Sequence, residues 1–170
     1  MGYGVNLELV RRFEICRRKE DEIMLKGIPK VLTPEMLKIL CEMGHDDEIV
    51  IADAHFPAEA VGKRVIQYPC ISAPEMVEAI VKVMPLDTYV DAPVKVMSLV
   101  ESDIQKGMKT PDMWEQVRAR ASEIEEFEVK LGEYERFEFY EHARKAYAII
   151  QTGEERQYGN FMLRKGVVLK

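Results

Sequence analysis

Nine polar residues carry groups that could do chemistry: His45, Asp46, Asp53, His55, Arg136, Tyr140, His142, Tyr158 and Asn160. An imidazole titrates near neutrality, so His45 could pass a proton in either direction at physiological pH. The plain alternative is a surface histidine beside a helix end. Asp53 could orient an imidazole or accept the hydroxyls of a sugar-like ligand, or it could simply cap a turn. His45, Asp53 and His55 together offer metal-binding donors, but they lack a tight ligand spacing such as His-x-x-x-His, so no metal is expected. Arg136 suits a carboxylate or a phosphate; within Glu133-Tyr134-Glu135-Arg136 it could equally be a charge-paired exposed residue. Tyr158-Gly159-Asn160 supplies a phenol, a permissive backbone and an amide, a set suited to a polyol, or else forms an ordinary turn. No Gly-x-Gly-x-x-Gly, phosphate loop or Gly-x-Ser-x-Gly elbow is present, so neither a nucleotide cofactor nor a serine hydrolase is supported.

Two of these residues bracket the run Ile49-Val50-Ile51-Ala52, which reads as a short strand buried on both faces, as in a parallel sheet. Ligands of open α/β sheets gather at the carboxyl ends of strands, where Asp53 and His55 stand; His45 precedes the strand. A five-residue strand spans roughly 17 Å. If His45 and Asp53 serve one reaction, the loops must fold back or a neighbouring subunit must contribute.

Three helix starts share one pattern, Thr33-Pro34-Glu35-Met36, Ala73-Pro74-Glu75-Met76 and Thr110-Pro111-Asp112-Met113. Thr33 and Thr110 are placed to cap, proline suits the first turn, and the acid suits the positive end of the helix dipole. Ser72 with Glu75 matches a capping box. The first helix is expected to run to Gly44 as a left-handed stop, the second to end near Met84-Pro85, and Trp114 and Val117 of the third to pack inward. Apolar runs at Arg64-Val65-Ile66-Gln67, at residues 94–100, at Ala148-Ile149-Ile150 and at Phe161-Met162-Leu163 read as strands, with a last helix at about residues 139–145. Strands alternating with helices predict an α/β fold: a single domain with a largely parallel sheet flanked by helices.

Size and composition set the outer limits. A chain of 170 residues suits one domain with a real core. Residues 1–23 read as an N-terminal extension, either a short amphipathic helix on Leu7, Val10 and Phe13 or a segment trailing into solvent, and residues 24–170 as the domain. The formal charge of −6 argues against a nucleic-acid surface. Cys16, Cys41 and Cys70 suggest neither a disulfide framework nor a zinc site; reduced thiols are expected. No apolar stretch approaches a membrane span and no signal peptide is visible, which points to the cytoplasm.

The stretch from Gly44-His45-Asp46-Asp47-Glu48 through Asp53-Ala54-His55-Phe56-Pro57 resembles the L-fucose mutarotase and D-ribose pyranase family, with the fucose branch the closer likeness. Further matches are Met24-Leu25-Lys26-Gly27-Ile28, the segment Arg136-Phe137-Glu138-Phe139-Tyr140-Glu141-His142-Ala143, and Thr152-Gly153-Glu154 with Tyr158-Gly159-Asn160. The likeness runs over residues 24–167; residues 1–23 have no counterpart, and residues 101–131 fit loosely. It implies a cofactor-free sugar isomerase assembled into a ring-like homo-oligomer with sites near subunit boundaries. By position it implies that His45 is the acid/base histidine, and that Asp53, Arg136, Tyr158 and Asn160 are sugar-site residues, with Tyr140 a further candidate. A non-catalytic, transport-associated sugar-binding protein and a ribose pyranase are the competing readings.

Overall fold

The computed structural model describes residues 25–168; the amphipathic helix expected on Leu7, Val10 and Phe13 lies outside them. The order is α1 (Pro34–Glu42), β1 (Glu48–Ala52), α2 (Ala58–Val61), β2 (Val65–Tyr68), α3 (Ala73–Val81), β3 (Val94–Met97), α4 (Glu101–Gln105), α5 (Asp112–Glu125), β4 (Leu131–Tyr134), α6 (Arg136–Lys145), β5 (Ala148–Thr152) and β6 (Phe161–Arg164). Six strands form one sheet in the order β2-β5-β1-β6-β3-β4. Pairings β1 with β5, β2 with β5 and β3 with β4 are parallel, whereas β6 runs against β1 and β3. All strands but β6 therefore point the same way and share one carboxyl edge.

The unbroken apolar run of β1 follows from its central position. Side chains alternate across a strand: Ile49 and Ile51 enter the core beneath α1, α3 and α5, while Val50 and Ala52 enter the core beneath α2 and α6. All four are fully buried. Phe161 and Leu163 of β6, and Ala148 and Ile150 of β5, extend the first core; Met162 and Ile149 extend the second. Trp114 and Val117 pack inward as expected.

Helix starts follow the sequence signals at two of three sites. The Thr33 hydroxyl oxygen accepts from the Met36 N–H at 3.2 Å, and Glu75 accepts from the Ser72 N–H at 3.1 Å. Thr110 does not cap: Pro111 occupies the cap position of α5 without a side-chain bond. Nor is Gly44 a left-handed stop. Helix α1 ends at Met43 in extended backbone, the Gly44 N–H donates to Asp47 Oδ2 at 2.7 Å, and the positive φ falls on Asp46 at 74°. The short elements α2 and α4 and the edge strand β4 carry too little apolar periodicity to be read in sequence; Leu131-Gly132-Glu133-Tyr134 is a strand because β3 offers it a parallel partner. Cys41 is a free, exposed thiol, but Cys70 is disulfide-bonded, correcting the expectation of three reduced thiols. Among the described residues no helix is long and apolar enough to cross a membrane.

Candidate active site

At the carboxyl edge β1 ends at Ala52, and β6, running the other way, begins at Phe161; their register sets Ile51 opposite Phe161. Asp53 and Asn160 thus leave adjacent strands side by side, although 107 positions separate them in the chain. The Asn160 carboxamide grips Asp53 twice. Its Oδ1 accepts from the Asp53 N–H at 3.0 Å, and its Nδ2 donates to Asp53 Oδ2 at 2.7 Å. Asp53 Oδ1 accepts from the His55 N–H at 3.0 Å. Only 4% of Asp53 is exposed, and this burial pushes its carboxyl above the ordinary range, the His55 and Asn160 bonds offsetting part of the effect.

The turn before β6 presents Tyr158. Its φ of 62° is left-handed, so the permissive conformation expected of Gly159 belongs instead to the tyrosine. Gly159 serves close approach: a Cβ there would meet Glu154 Cγ at 2.7 Å and Asp53 Cβ at 3.4 Å. Glu154 is itself pinned by Arg156, with bonds of 2.8 and 2.7 Å that hold its carboxyl below the usual range. The Trp114 indole donates to the Tyr158 carbonyl at 2.9 Å, fixing the turn from α5.

Around these groups opens a cavity of about 370 Å³, walled among others by Asp53, His55, Arg136, Tyr140, Tyr158 and Asn160, within the roughly 300–1,000 Å³ of small-molecule sites. Arg136 is the first residue of α6, whose start is capped by Glu135, accepting from the Phe137 N–H at 2.7 Å. Tyr140, one turn on, packs edge-on against Phe56 at 5.5 Å. Five of the six site residues expected from sequence therefore line one cavity.

His45 does not. It stands at the opposite, amino edge, where its Nε2 lies 3.3 Å from Asp87 Oδ1 and its ring meets Tyr89 edge-on at 5.6 Å. Asp87 is 1% exposed, while the His45 side chain keeps 45% of its surface. Within one chain Asp53 cannot orient His45, and the loops do not fold back: β1 separates them. The trio His45, Asp53 and His55 is likewise divided, and among the described residues no group of three or more His, Cys, Asp or Glu is placed to hold a metal ion. His142 also faces the amino edge, stacked on Tyr134 at 4.2 Å and 3.3 Å from Glu48. Asp46 pairs there with Arg164 at 2.6 Å.

Asp103 and Gln157 are the polar cavity residues absent from the sequence candidates, and Asp103 is the one bonded to another site residue. It sits on α4, just past β3, within the segment of loosest family likeness, and accepts from the Tyr158 hydroxyl at 2.8 Å. The signal that could have found it is the rule applied to β1, since β3 ends at the same carboxyl edge.

Comparison with known proteins places these features in a family. The RbsD / FucU transport protein family matches residues 26–168. Human fucose mutarotase is 46% identical over 152 residues, covering 86% of this chain and 96% of the relative. The crystal structure of FucU from Bifidobacterium longum superposes with a TM-score of 0.79 at 46% identity, covering 85% of this chain and 100% of that one. The fucose mutarotase of Streptococcus pneumoniae, solved in complex with L-fucose, gives a TM-score of 0.75 at 40% identity, covering 85% and 100%.

Proposed function

Since the chain belongs to the RbsD / FucU family, we propose that it is a cofactor-free isomerase, a mutarotase that interconverts the α and β anomers of L-fucose. Opening the sugar ring requires a proton delivered to the ring oxygen while the anomeric hydroxyl loses one, a pure acid/base task. His45 is assigned the proton transfer at the ring oxygen. Asp53, Arg136, Tyr140, Tyr158 and Asn160 are assigned the sugar hydroxyls. One observation carries this reading: residues dispersed from Asp53 to Asn160 converge on a single cavity, in a chain 46% identical to a protein named fucose mutarotase.

His45 and the cavity occupy opposite edges, so the site is complete only when a second copy brings its amino edge to the cavity. Exposed apolar side chains at both ends support such contacts: Phe137 and Ile104 beside the cavity, Tyr89, Val167 and Val168 near His45. Head-to-tail contacts of this kind close into rings when the rotation permits. We therefore propose a homo-oligomer in which residues 24–170 form the mutarotase domain and residues 1–23 an extension to it, working in the cytoplasm.

Saturation-transfer NMR on α- and β-L-fucose tests the reaction; exchange at the spontaneous rate, with calorimetric binding of the sugar, would favour instead the transport-associated binding role that the family's description contains. Following ribose ring forms in the same experiment separates a pyranase. Mixing His45→Ala with Tyr158→Phe protein after dissociation and reassembly tests the shared site. Each mutant alone is expected to be largely inactive, and mixed rings to regain activity at boundaries that pair an intact His45 with an intact Tyr158. A fully active monomer would end the shared-site reading.

A further inference from the structure

We propose that Asp103 is a positioning residue of this site, holding the Tyr158 hydroxyl proton so that the phenol oxygen meets the sugar as an acceptor; the inference rests on the reading above. Helix α4, which carries Asp103, buries none of its residues. Packing therefore does little to fix it over the cavity, and two hydrogen bonds to Tyr158 take that part. The Tyr158 hydroxyl donates to Asp103 Oδ2 at 2.8 Å and accepts from the Val100 N–H at 3.2 Å. A phenol has one proton and two lone pairs. The proton and one lone pair are thus committed to the protein, and the remaining lone pair is left for a ligand in the cavity that Tyr158 and Asp103 both line. A sugar hydroxyl arriving there must donate its own proton.

The charge that enforces this orientation is well supported. The Tyr158 hydrogen bond, ahead of Lys106 and Arg136, holds the Asp103 carboxyl below the ordinary range. Tyr158 is moved the other way: desolvation raises its phenol, Asp103 adds to the rise, and the Val100 N–H and Arg136 oppose it. The other ionisable groups lining the cavity are Asp53, His55 and Tyr140. Lys106, 76% exposed and 3.4 Å from Asp103 Oδ1, is a weak competitor for the carboxylate.

Three measurements test the assignment. Asp103→Ala should lower the maximal rate of fucose anomer exchange about ten- to hundredfold, the range for a lost hydrogen bond to a charged group, with a smaller change in KM. Asp103→Asn, which keeps an acceptor oxygen without the charge, should retain more of the rate. In a double-mutant cycle, Asp103→Ala should cost nothing further once Tyr158 is Phe. The Tyr158 ring carbon, assigned by its disappearance in Tyr158→Phe, should titrate at lower pH in Asp103→Ala than in the unmodified protein. Full activity of Asp103→Ala, additive losses in the cycle, or an unmoved Tyr158 titration would overturn the assignment. An unmodified protein without anomer exchange would instead sink the mutarotase reading, and the titration would still decide the Asp103–Tyr158 pairing by itself.

Discussion

The two edges of the sheet hold their polar groups by different means. At the carboxyl edge, beside the Glu154–Arg156 and Asp103–Lys106 ion pairs, neutral side chains hold the buried groups. The Asn160 amide grips Asp53, the Thr152 hydroxyl donates to the Ala52 carbonyl at 2.8 Å, and the Gln151 amide donates to the Phe56 carbonyl at 2.8 Å. At the amino edge ions dominate. Arg164 joins Asp46 at 2.6 Å and Glu48 at 2.9 Å, and Lys165 Nζ donates to the last carbonyls of α1, 2.7 Å from that of Leu40. A neutral monosaccharide needs directed hydrogen bonds in a dry, fixed setting, which the first edge supplies. A proton carrier must be held yet remain reachable, which His45, paired on one side with buried Asp87 and open on the other, satisfies. On the proposed reading, one edge receives the ligand and the other presents the imidazole.

The strongest test of that division is His45→Ala. Anomer exchange should fall by about 100-fold or more, the loss typical of a removed acid/base group, while sugar affinity measured by calorimetry changes far less, because the binding groups stand at the other edge. Unchanged exchange in soluble, assembled mutant protein would remove His45 from the reaction.

A second test addresses the receiving edge. Asn160→Ala leaves the Asp53 N–H and Oδ2 without their partner in a buried place, which should cost about 3 kcal/mol of stability and abolish measurable sugar binding. The cost should depend on pH. Burial raises the Asp53 carboxyl in the folded chain, so its stabilising, protonated form contributes fully below its unfolded value near 3.8 and is lost as pH rises through the raised folded value. At neutral pH the ionised group burdens the fold, and the Asn160 amide relieves that burden. Urea unfolding should therefore show a larger penalty for Asn160→Ala at pH 7 than at pH 3.

Much of this arrangement was legible in sequence, and what was not has physical reasons. The run Ile49-Val50-Ile51-Ala52 announced a central strand because each face meets a core of its own. Its length of roughly 17 Å left two ways for His45 and Asp53 to serve one reaction, loops folding back or a neighbouring subunit contributing, and the first is absent from the fold. The direction of β6 was not legible, since Phe161-Met162-Leu163 reads the same either way; yet that direction brings Asn160 beside Asp53. Asp87 and Asp103 went unnoticed for a shared reason. Each is bonded to a side chain distant in sequence, 42 positions for His45 and 55 for Tyr158, and only the folded sheet brings the pairs together. The left-handed turn fell on Tyr158 rather than Gly159 because the glycine is needed for close approach to Glu154 and Asp53.

The smallest effect, and the sharpest comparison, concerns salt. Arg164 leaves β6 at the amino edge and forks between Asp46, which is 64% exposed, and Glu48, which is 11% exposed. His142 Nδ1 lies 3.3 Å from the second Glu48 oxygen. Replacing Arg164 with Met keeps the apolar stem and removes the fork, so the loss should be about 1 kcal/mol, most of it from Glu48 because the Asp46 arm is largely solvated. At roughly 1 M salt the screening length falls to about 3 Å and exposed pairs lose most of their attraction. The penalty for Arg164→Met should therefore shrink as salt is raised from 0.05 to 1 M in urea titrations at pH 7, whereas the penalty for Asn160→Ala, made of short bonds in a buried place, should hold nearly constant. Equal salt sensitivity of the two variants would show that the edges are not electrostatically distinct, and the contrast between a receiving and a presenting edge would then rest on geometry alone.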